Sequence, residues 1–591
     1  MKRTLALILA LVMTMSLVAC GGDKATTSTT TPGTSTTTPG SSTTTPGTTT
    51  EPSTGTTTEP SKPAEDPDAW KYGGDLVIGT SNTWNTFDPQ NCGGILGPCL
   101  ISLHLFETWA IRDANGQIYG QVCDIEESAD GCTVKFTLRE RYFSNGQKIT
   151  MDDLLASLHR AVGSRTSAQY DKNWTNVSMK VEGNSIIFTM PEFNINFIDE
   201  FVSAYSHFKI MPKSICDKYP VTGGELQPNG FIRGGTLTVM SDTKDVIGSG
   251  PYTLQSYSDY EVVFARNDNY TPIINEGAIG IATEAKRYCD TITVILNTDA
   301  QSRTAATMTG EYDIGSVSAD MVETALSMGV KKFTTGTAWT HAIFFNLHES
   351  NADSPVYDIN VRKAIRAIID CNAVMLSVLS GDASRINLDP YPVVKALSAY
   401  NTTIIEDTGE WNNPNKELAL EYMKKANYDG TPLVYLTNAT GAFYKACMAV
   451  VPMMESIGLK VEVLAVDGGS HGAMRKDPTT GHDIGCWETQ KNFVNPVMQS
   501  SFVNNQGGEG WWSHPQKTEY LKIMNSTPTN SPESVDAYLK FMQLVADEVP
   551  YIAFGFPNGI GYCRDNVQRF TVGKDTFFYW NDYFLENPRK K

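Results

Sequence analysis

The run Gly468-Gly469-Ser470-His471-Gly472 carries the spacing Gly-x-Ser-x-Gly, in which a sharp turn holds a serine hydroxyl forward for attack on an acyl group. Such an elbow requires a long buried helix behind the serine. The residues that follow are Ala473 to Gly481, a polar stretch broken by Pro478. A surface-anchored serine hydrolase using Ser470 is therefore the competing reading, not the leading one. The eight histidines include no His-Glu-x-x-His pair, and His471 and His482 lie eleven positions apart, so their spacing does not support a zinc site. No Gly-x-x-x-x-Gly-Lys-Ser/Thr loop is present to cradle a triphosphate, and neither a metal nor another cofactor is implied.

Residue types that bind without reacting are better represented, and they need elements to hold them. The stretch from His341 to Asp370 is the clearest of these. Ile343, Phe344 and Phe345 form a β-rich run bounded downstream by Ser350, Asn351, Asp353 and Pro355, which predicts a buried strand. Val361, Ala364, Ile365, Ile368 and Ile369 then recur at helical spacing, with Arg362, Lys363 and Arg366 on the opposite side and Asp358 or Asn360 placed to cap. A strand, a polar bridge and a basic-backed helix midway along the chain mark the start of a second lobe.

At 591 residues the chain is too long for a single core and corresponds to three or four domain-sized units. Its 47 basic and 65 acidic side chains give a charge of −18 and a pI near 5.0, which argues against nucleic acid as a partner. Lys2 and Arg3 precede an apolar run from Leu5 to Val12 that is too short to span a bilayer, and Leu17-Val18-Ala19-Cys20 closes it. This segment resembles a bacterial lipoprotein signal, which implies cleavage before Cys20 and lipid on its thiol. Residues 20–68 are then a lipid-anchored Thr/Ser/Pro/Gly linker, in which Thr-Thr-Thr-Pro-Gly recurs at Thr29–Gly33, Thr36–Gly40 and Thr43–Gly47. Such a composition cannot bury enough surface to offset its ordering entropy, so it is predicted to be a disordered tether.

From Tyr72 to Asn581 the chain resembles the solute-binding protein family 5 of ABC importers, the oligopeptide-, dipeptide- and nickel-binding type. Tyr72-Gly73-Gly74-Asp75-Leu76 and the polar loop ending at Phe87-Asp88-Pro89 are similar to its opening, with Phe87 in place of the usual Leu. Leu105-Phe106-Glu107-Thr108-Trp109, the alternating strand Val134–Arg139, the turn Asn145-Gly146 and the helix after Thr150, with Asp153 three residues on, are similar to its accessory subdomain. A hairpin around Gly183-Asn184, then Val246–Tyr252, Arg266–Tyr270, Tyr428–Gly430, Ile457–Val463 and Glu548–Ile552, follow in the family's order.

The resemblance implies an α/β fold of the periplasmic-binding-protein-like type II (cluster C), two lobes with an extra subdomain in the first. The expected divisions are a signal peptide at 1–19, the linker at 20–68, lobe I at 69–105, 246–342 and 546–591, the accessory subdomain at 106–245, and lobe II at 343–545. Hinges are expected near residues 342 and 546. It also implies a monomer that closes on a small solute and hands it to permease and ATPase subunits; a ligand sensor on the same fold is the alternative. In the family the loop after the first strand lies at the cleft, which makes Asn82, Trp84 and Asn85 candidate contacts. Peptide-binding members place an Asp shortly after the second-lobe Trp, where it meets the peptide's ammonium. Here Trp487 is followed by Glu488, Gln490 and Asn492, and the two amides carry no balancing charge. Indoles and amides (Trp339, Trp487, Gln490, Asn492, Trp511) suit a neutral ligand, so an oligosaccharide stands beside an oligopeptide as the expected solute. Of the eleven cysteines, Cys92/Cys99 and Cys123/Cys132 are close enough in sequence for bridges, and the rest beyond Cys20 are expected as buried thiols.

Overall fold

The computed structural model describes residues 69–586 apart from 82, 85, 92–103, 114–116, 167–169, 172, 203–205, 279–281, 283–285, 336–338, 396, 492–494, 498–510, 569–570, 573–577 and 580–583. Cys20, the linker, Asn82, Asn85, Asn492, Cys92 and Cys99 lie outside the described residues. Among the described residues no helix is long and apolar enough to cross a membrane.

The first strand, β1 (Asp75–Thr80), buries Leu76 and Ile78 and opens the first sheet. The chain then leaves it for a four-stranded antiparallel sheet, β2 (Cys123–Glu127), β3 (Thr133–Leu138), β4 (Ser178–Glu182) and β5 (Ser185–Thr189), in the order β2-β3-β5-β4. Helix α1 (Met151–Gly163) belongs to this subdomain and starts in a capping box. Thr150 accepts from the Asp153 amide, and the Asp153 carboxylate accepts from the amide of Thr150. Trp109, Phe136, Trp174, Phe188 and Phe201 fill a separate core here.

The chain returns through β6 (Tyr252–Tyr257), β7 (Glu261–Arg266), β8 (Thr291–Leu296), β9 (Ile314–Gly315) and β10 (Lys331–Thr335). It then enters β11 (Trp339–Phe345), whose partners are all in a second sheet. Ile343, Phe344 and Phe345 are buried on both faces, as the β-rich run predicts. Helix α2 (Ile359–Ile368) follows, capped by Asp358, whose carboxylate accepts from the amide of Asn360. Beyond it come β12 (Ile386–Asn387), β13 (Leu433–Asn438), α3 (Gly441–Glu455), β14 (Val461–Val466), α4 (Gly468–Met474) and β15 (Ile484–Gln490). Two helices, α5 (Pro515–Asn525) and α6 (Pro532–Glu548), lead into β16 (Tyr551–Pro557), and β17 (Gly559–Cys563) rejoins the first sheet. The strand orders are β6-β7-β8-β1-β9-β17-β10 and β12-β16-β11-β15-β13-β14.

One expectation changes. The chain crosses between the sheets after β10 and again between Pro557 and Gly559, because β11 and β16 both hydrogen bond within the second sheet. These crossings are displaced from 342 and 546, where the hinges are expected. On the basic side of α2, Arg362 and Arg366 are buried. Arg362 donates to the carbonyls of Glu548, Val356 and Tyr357, and Arg366 donates to the Ala546 carbonyl and pairs with buried Glu410. The two guanidiniums fasten α2 to the end of α6, satisfying carbonyls that the helix terminus leaves open.

Cys123 and Cys132 are both free thiols. Cys123 pairs with Leu138 at one end of the β2–β3 hairpin, whereas Cys132 precedes β3 at the other, so a strand's length separates them. Five residues of strand span roughly 17 Å, well beyond the reach of a disulfide.

Candidate functional site

The second sheet contains a reversal in strand order, and polar residues collect there. From β13 the chain passes through α3 to β14 on one side, then through α4 back across to β15 on the other, with all three strands parallel. Right-handed crossovers in opposite directions put α3 and α4 on opposite faces. Between the carboxyl ends of β13 and β15 they leave the kind of crevice in which open α/β sheets bind ligands.

Strand alternation then sorts the side chains. Ile343, Phe345, Ile484 and Cys486 enter one core, while Ala342, Phe344 and Trp487 enter the other. At the crevice the register sets His341 opposite Glu488, with Nε2 3.7 Å from Oε2. Four rings continue from there at centroid spacings of 6.0 Å (His341 to Phe443), 5.7 Å (Phe443 to His471) and 6.4 Å (His471 to Trp487). The Arg475 guanidinium sits 5.7 Å from the Trp487 ring centre.

Buried polar atoms without a protein partner concentrate at this place. They are Thr340 Oγ1, His341 Nδ1, Thr437 Oγ1, Asn438 Oδ1, His471 Nε2 and Trp487 Nε1. Buried polar groups are normally paired, and an unpaired one costs about 1–3 kcal/mol. Six within three neighbouring strands and one helix mark a site whose partner is a ligand or ordered water. Burial also sets the charges: it lowers the His341 imidazole to about 4, lowers His471, and raises the Glu488 carboxyl. Both imidazoles are neutral near pH 7, and the crevice offers mainly uncharged donors and acceptors.

The model of the bacterial extracellular solute-binding proteins, family 5 (middle), matches residues 101–509. The chain belongs to this family. Its fold is the family's type II periplasmic-binding-protein-like arrangement, and the family is one of substrate-binding proteins. Among solved structures it is similar to the ABC transporter substrate-binding protein CtaP from Listeria monocytogenes, at 14% identity and a TM-score of 0.68 over 88% of this chain and 100% of that one. It is similar to the periplasmic murein tripeptide-binding protein MppA in its unliganded open form, at 16% identity and 0.67 over 87% and 97%. The oligopeptide-binding protein AppA from Bacillus subtilis, solved with a nonapeptide, matches at 18% and 0.59 over 87% and 99%. At these identities the likeness is one of fold.

Within this family 5 protein the expected contact residues separate. Trp339, Trp487, Glu488 and the Gln490 backbone come together at the adjoining ends of β11 and β15, where Trp339 pairs with Gln490. Trp487 is only 1% exposed, however, and its indole is stacked on Phe344 as part of the lobe II core. Its Nε1 is buried as well and has no protein partner. Trp84 belongs to the first sheet's lip, where its indole donates to the Ser258 carbonyl (3.3 Å) and packs on that lobe's core. Trp511 lies against His348, beyond the far end of β11, and does not join the crevice. Ser470 sits in helix α4, its hydroxyl bonded to the Asp467 carboxylate that caps the helix, and not on a strained elbow turn.

Thr340, His341, Thr437, Asn438, Phe443 and His471 were not expected as contacts. A signal exists in the sequence for one of them: Asn438 ends a strand that Ala439-Thr440-Gly441 turns into a helix, the junction at which parallel units bind ligands. The others depend on register between strands far apart in the chain.

Proposed function

We propose that this chain is the extracytoplasmic solute-binding lipoprotein of an ABC importer, tied to the outer face of a bacterial membrane through lipid on Cys20. It captures a small polar solute between its two lobes and delivers it to a permease. The observation that carries this reading is the group of unpartnered polar atoms at the crevice between β13 and β15, beside a half-exposed carboxylate and a chain of rings. Apart from Glu488 and Arg475 the set is uncharged near pH 7, which favours an oligosaccharide. Glu488 favours an oligopeptide as the second reading, since it is the anion available to meet an ammonium.

A thermal-shift screen of oligosaccharides, peptides of two to five residues and metal chelates tests this. A ligand at a hundredfold over its Kd adds ~2.7 kcal/mol to the folded state. Sugars are expected to stabilise more than peptides. A strong peptide hit replaces the sugar reading, and product accumulating from a bound compound overturns the binding reading altogether. For the anchor, the Cys20→Ala variant is expected in the culture medium or periplasmic fraction and the parent protein in membranes.

A further inference from the structure

The accessory subdomain is fastened to the first lobe and also touches the second. On the first side, Arg160 of α1 pairs with Asp88 of lobe I at 2.5 Å, both buried, while the same guanidinium is held by the carbonyls of Tyr219 and Thr238 within the subdomain. Arg141, paired with buried Glu107 inside the subdomain, also donates to the Thr271 carbonyl of lobe I. The subdomain therefore moves with lobe I.

On the other side, Asp199 accepts from Arg112 of its own subdomain and from Asn495 Nδ2 of lobe II, the latter at 3.1 Å. Asp199 is 4% exposed and Asn495 0%. The amide of Ile195 donates to the Asn525 carbonyl at 3.4 Å. The Ile195 side chain lies in the lobe II cluster that contains Val497, Trp512 and Met524, and Phe193 packs on the same cluster. Phe193 is backed by Gly131, where a Cβ would come within 2.4 Å of its ring, so the hairpin turn holds the wedge in place.

We infer that Asp199 and Asn495 are positioning residues for solute capture, forming a clasp through which the accessory subdomain holds lobe II against lobe I from outside the ligand crevice. The chemistry suits a reversible contact. When the lobes part, Asp199 keeps Arg112, and the polar groups that pass to water are the neutral Asn495 amide and the Ile195–Asn525 backbone pair, so no charge is stranded. A buried hydrogen bond to a charged group biases the closed arrangement by roughly ten- to a hundredfold. The inference rests on the two-lobe capture reading but not on the identity of the solute.

The test uses the full chain without ligand. Asn495→Asp sets a second carboxylate against Asp199. Amide exchange at residues 193–199 and 521–527 is expected to rise roughly tenfold, with a larger radius of gyration in solution scattering, while residues 86–90 and 153–160 keep their protection. Adding Asp199→Asn restores a donor–acceptor pair with the roles exchanged and, although Arg112 loses its carboxylate partner at 199, is expected to bring both readouts back toward the parent values. The clasp is overturned if Asn495→Asp leaves exchange at 193–199 unchanged, if the acceleration spreads to 86–90 as in a general loss of folding, or if the second substitution restores nothing. Because no solute is added, a failed ligand screen and a failed clasp are separate results.

Discussion

The indole of Trp487 lies flat on the ring of Phe344, with centroids 4.5 Å apart and planes 3° from parallel. The stack is possible because Gly485, opposite Phe344 in the register, has no side chain: a Cβ there would come within 2.2 Å of the indole. Gly485→Ala is therefore expected to destabilise the protein by about 1–3 kcal/mol through overpacking. Trp487→Ala, which empties the space, is expected to cost ~3–5 kcal/mol. Trp487→Phe keeps a ring on Phe344 but gives up the second ring of the indole together with Nε1, so it is expected to cost less than Trp487→Ala. Urea unfolding of the three variants checks the order, and a neutral Gly485→Ala would show that the indole does not occupy that position.

Acid should weaken lobe II. Burial holds His341 at about 4 against its ordinary 6.5, so the unfolded chain takes up a proton that the folded one refuses. The contribution is fully present above the unfolded value and is lost as pH falls through the folded one, reaching ~3 kcal/mol across that window. His471 and His482 are lowered by burial and act in the same direction. Glu488 is raised by burial, which opposes the trend and, by neutralising the carboxyl as pH falls, removes the charge that would draw a proton onto His341. Urea midpoints are expected to be lower at pH 5.0 than at pH 7.5, and His341→Gln is expected to reduce that difference. Equal midpoints for the parent protein would contradict the buried, neutral imidazole.

Much of the fold was legible in local patterns, and the departures share a cause. The run Ile343–Phe345, the cap at Asp358 and the Thr150/Asp153 box depend on neighbours in the chain, and all three form as expected. Helical periodicity places Arg362 and Arg366 opposite the apolar side of α2 but carries no information about the carbonyls, some 180 residues away, to which they bond. The crossing points moved because β11 begins at Trp339 by pairing with β15, a non-local partner. At the site, Trp487 and Glu488 stood out together by type, yet strand alternation sends them to opposite faces. Register, not spacing, assembles His341 and Thr437, and so the sequence does not single them out as contacts.

The thiols offer a direct check on the subdomain hairpin. Cys123 is buried at the start of β2, and Cys132 lies half-buried beyond its other end. Alkylation of the unreduced, denatured protein is expected to label both residues, as read by peptide mass spectrometry. In the native state burial pushes the Cys123 thiol up, so labelling there is expected to be slow and to follow unfolding. A disulfide-linked peptide joining the two would require β2 and β3 to pair in another register.

Glu488 separates the two solute classes. Its carboxylate is the half-exposed charge at the crevice, beside a histidine that is neutral near pH 7, so it has no strong counter-charge of its own there. A ligand ammonium would meet it directly, and Glu488→Gln would then lower affinity by 2–5 kcal/mol, roughly thirtyfold or more. A sugar hydroxyl can bond an amide nearly as well as a carboxylate, so for an oligosaccharide the same change is expected to cost less than about fivefold. Asn438→Leu, which removes an unpartnered buried acceptor without altering charge, is expected to cost the sugar complex more than Glu488→Gln does. Calorimetric titration of both variants with the best screened ligand gives the order directly. A larger loss at Glu488 than at Asn438 assigns the crevice to cationic, peptide-like solutes.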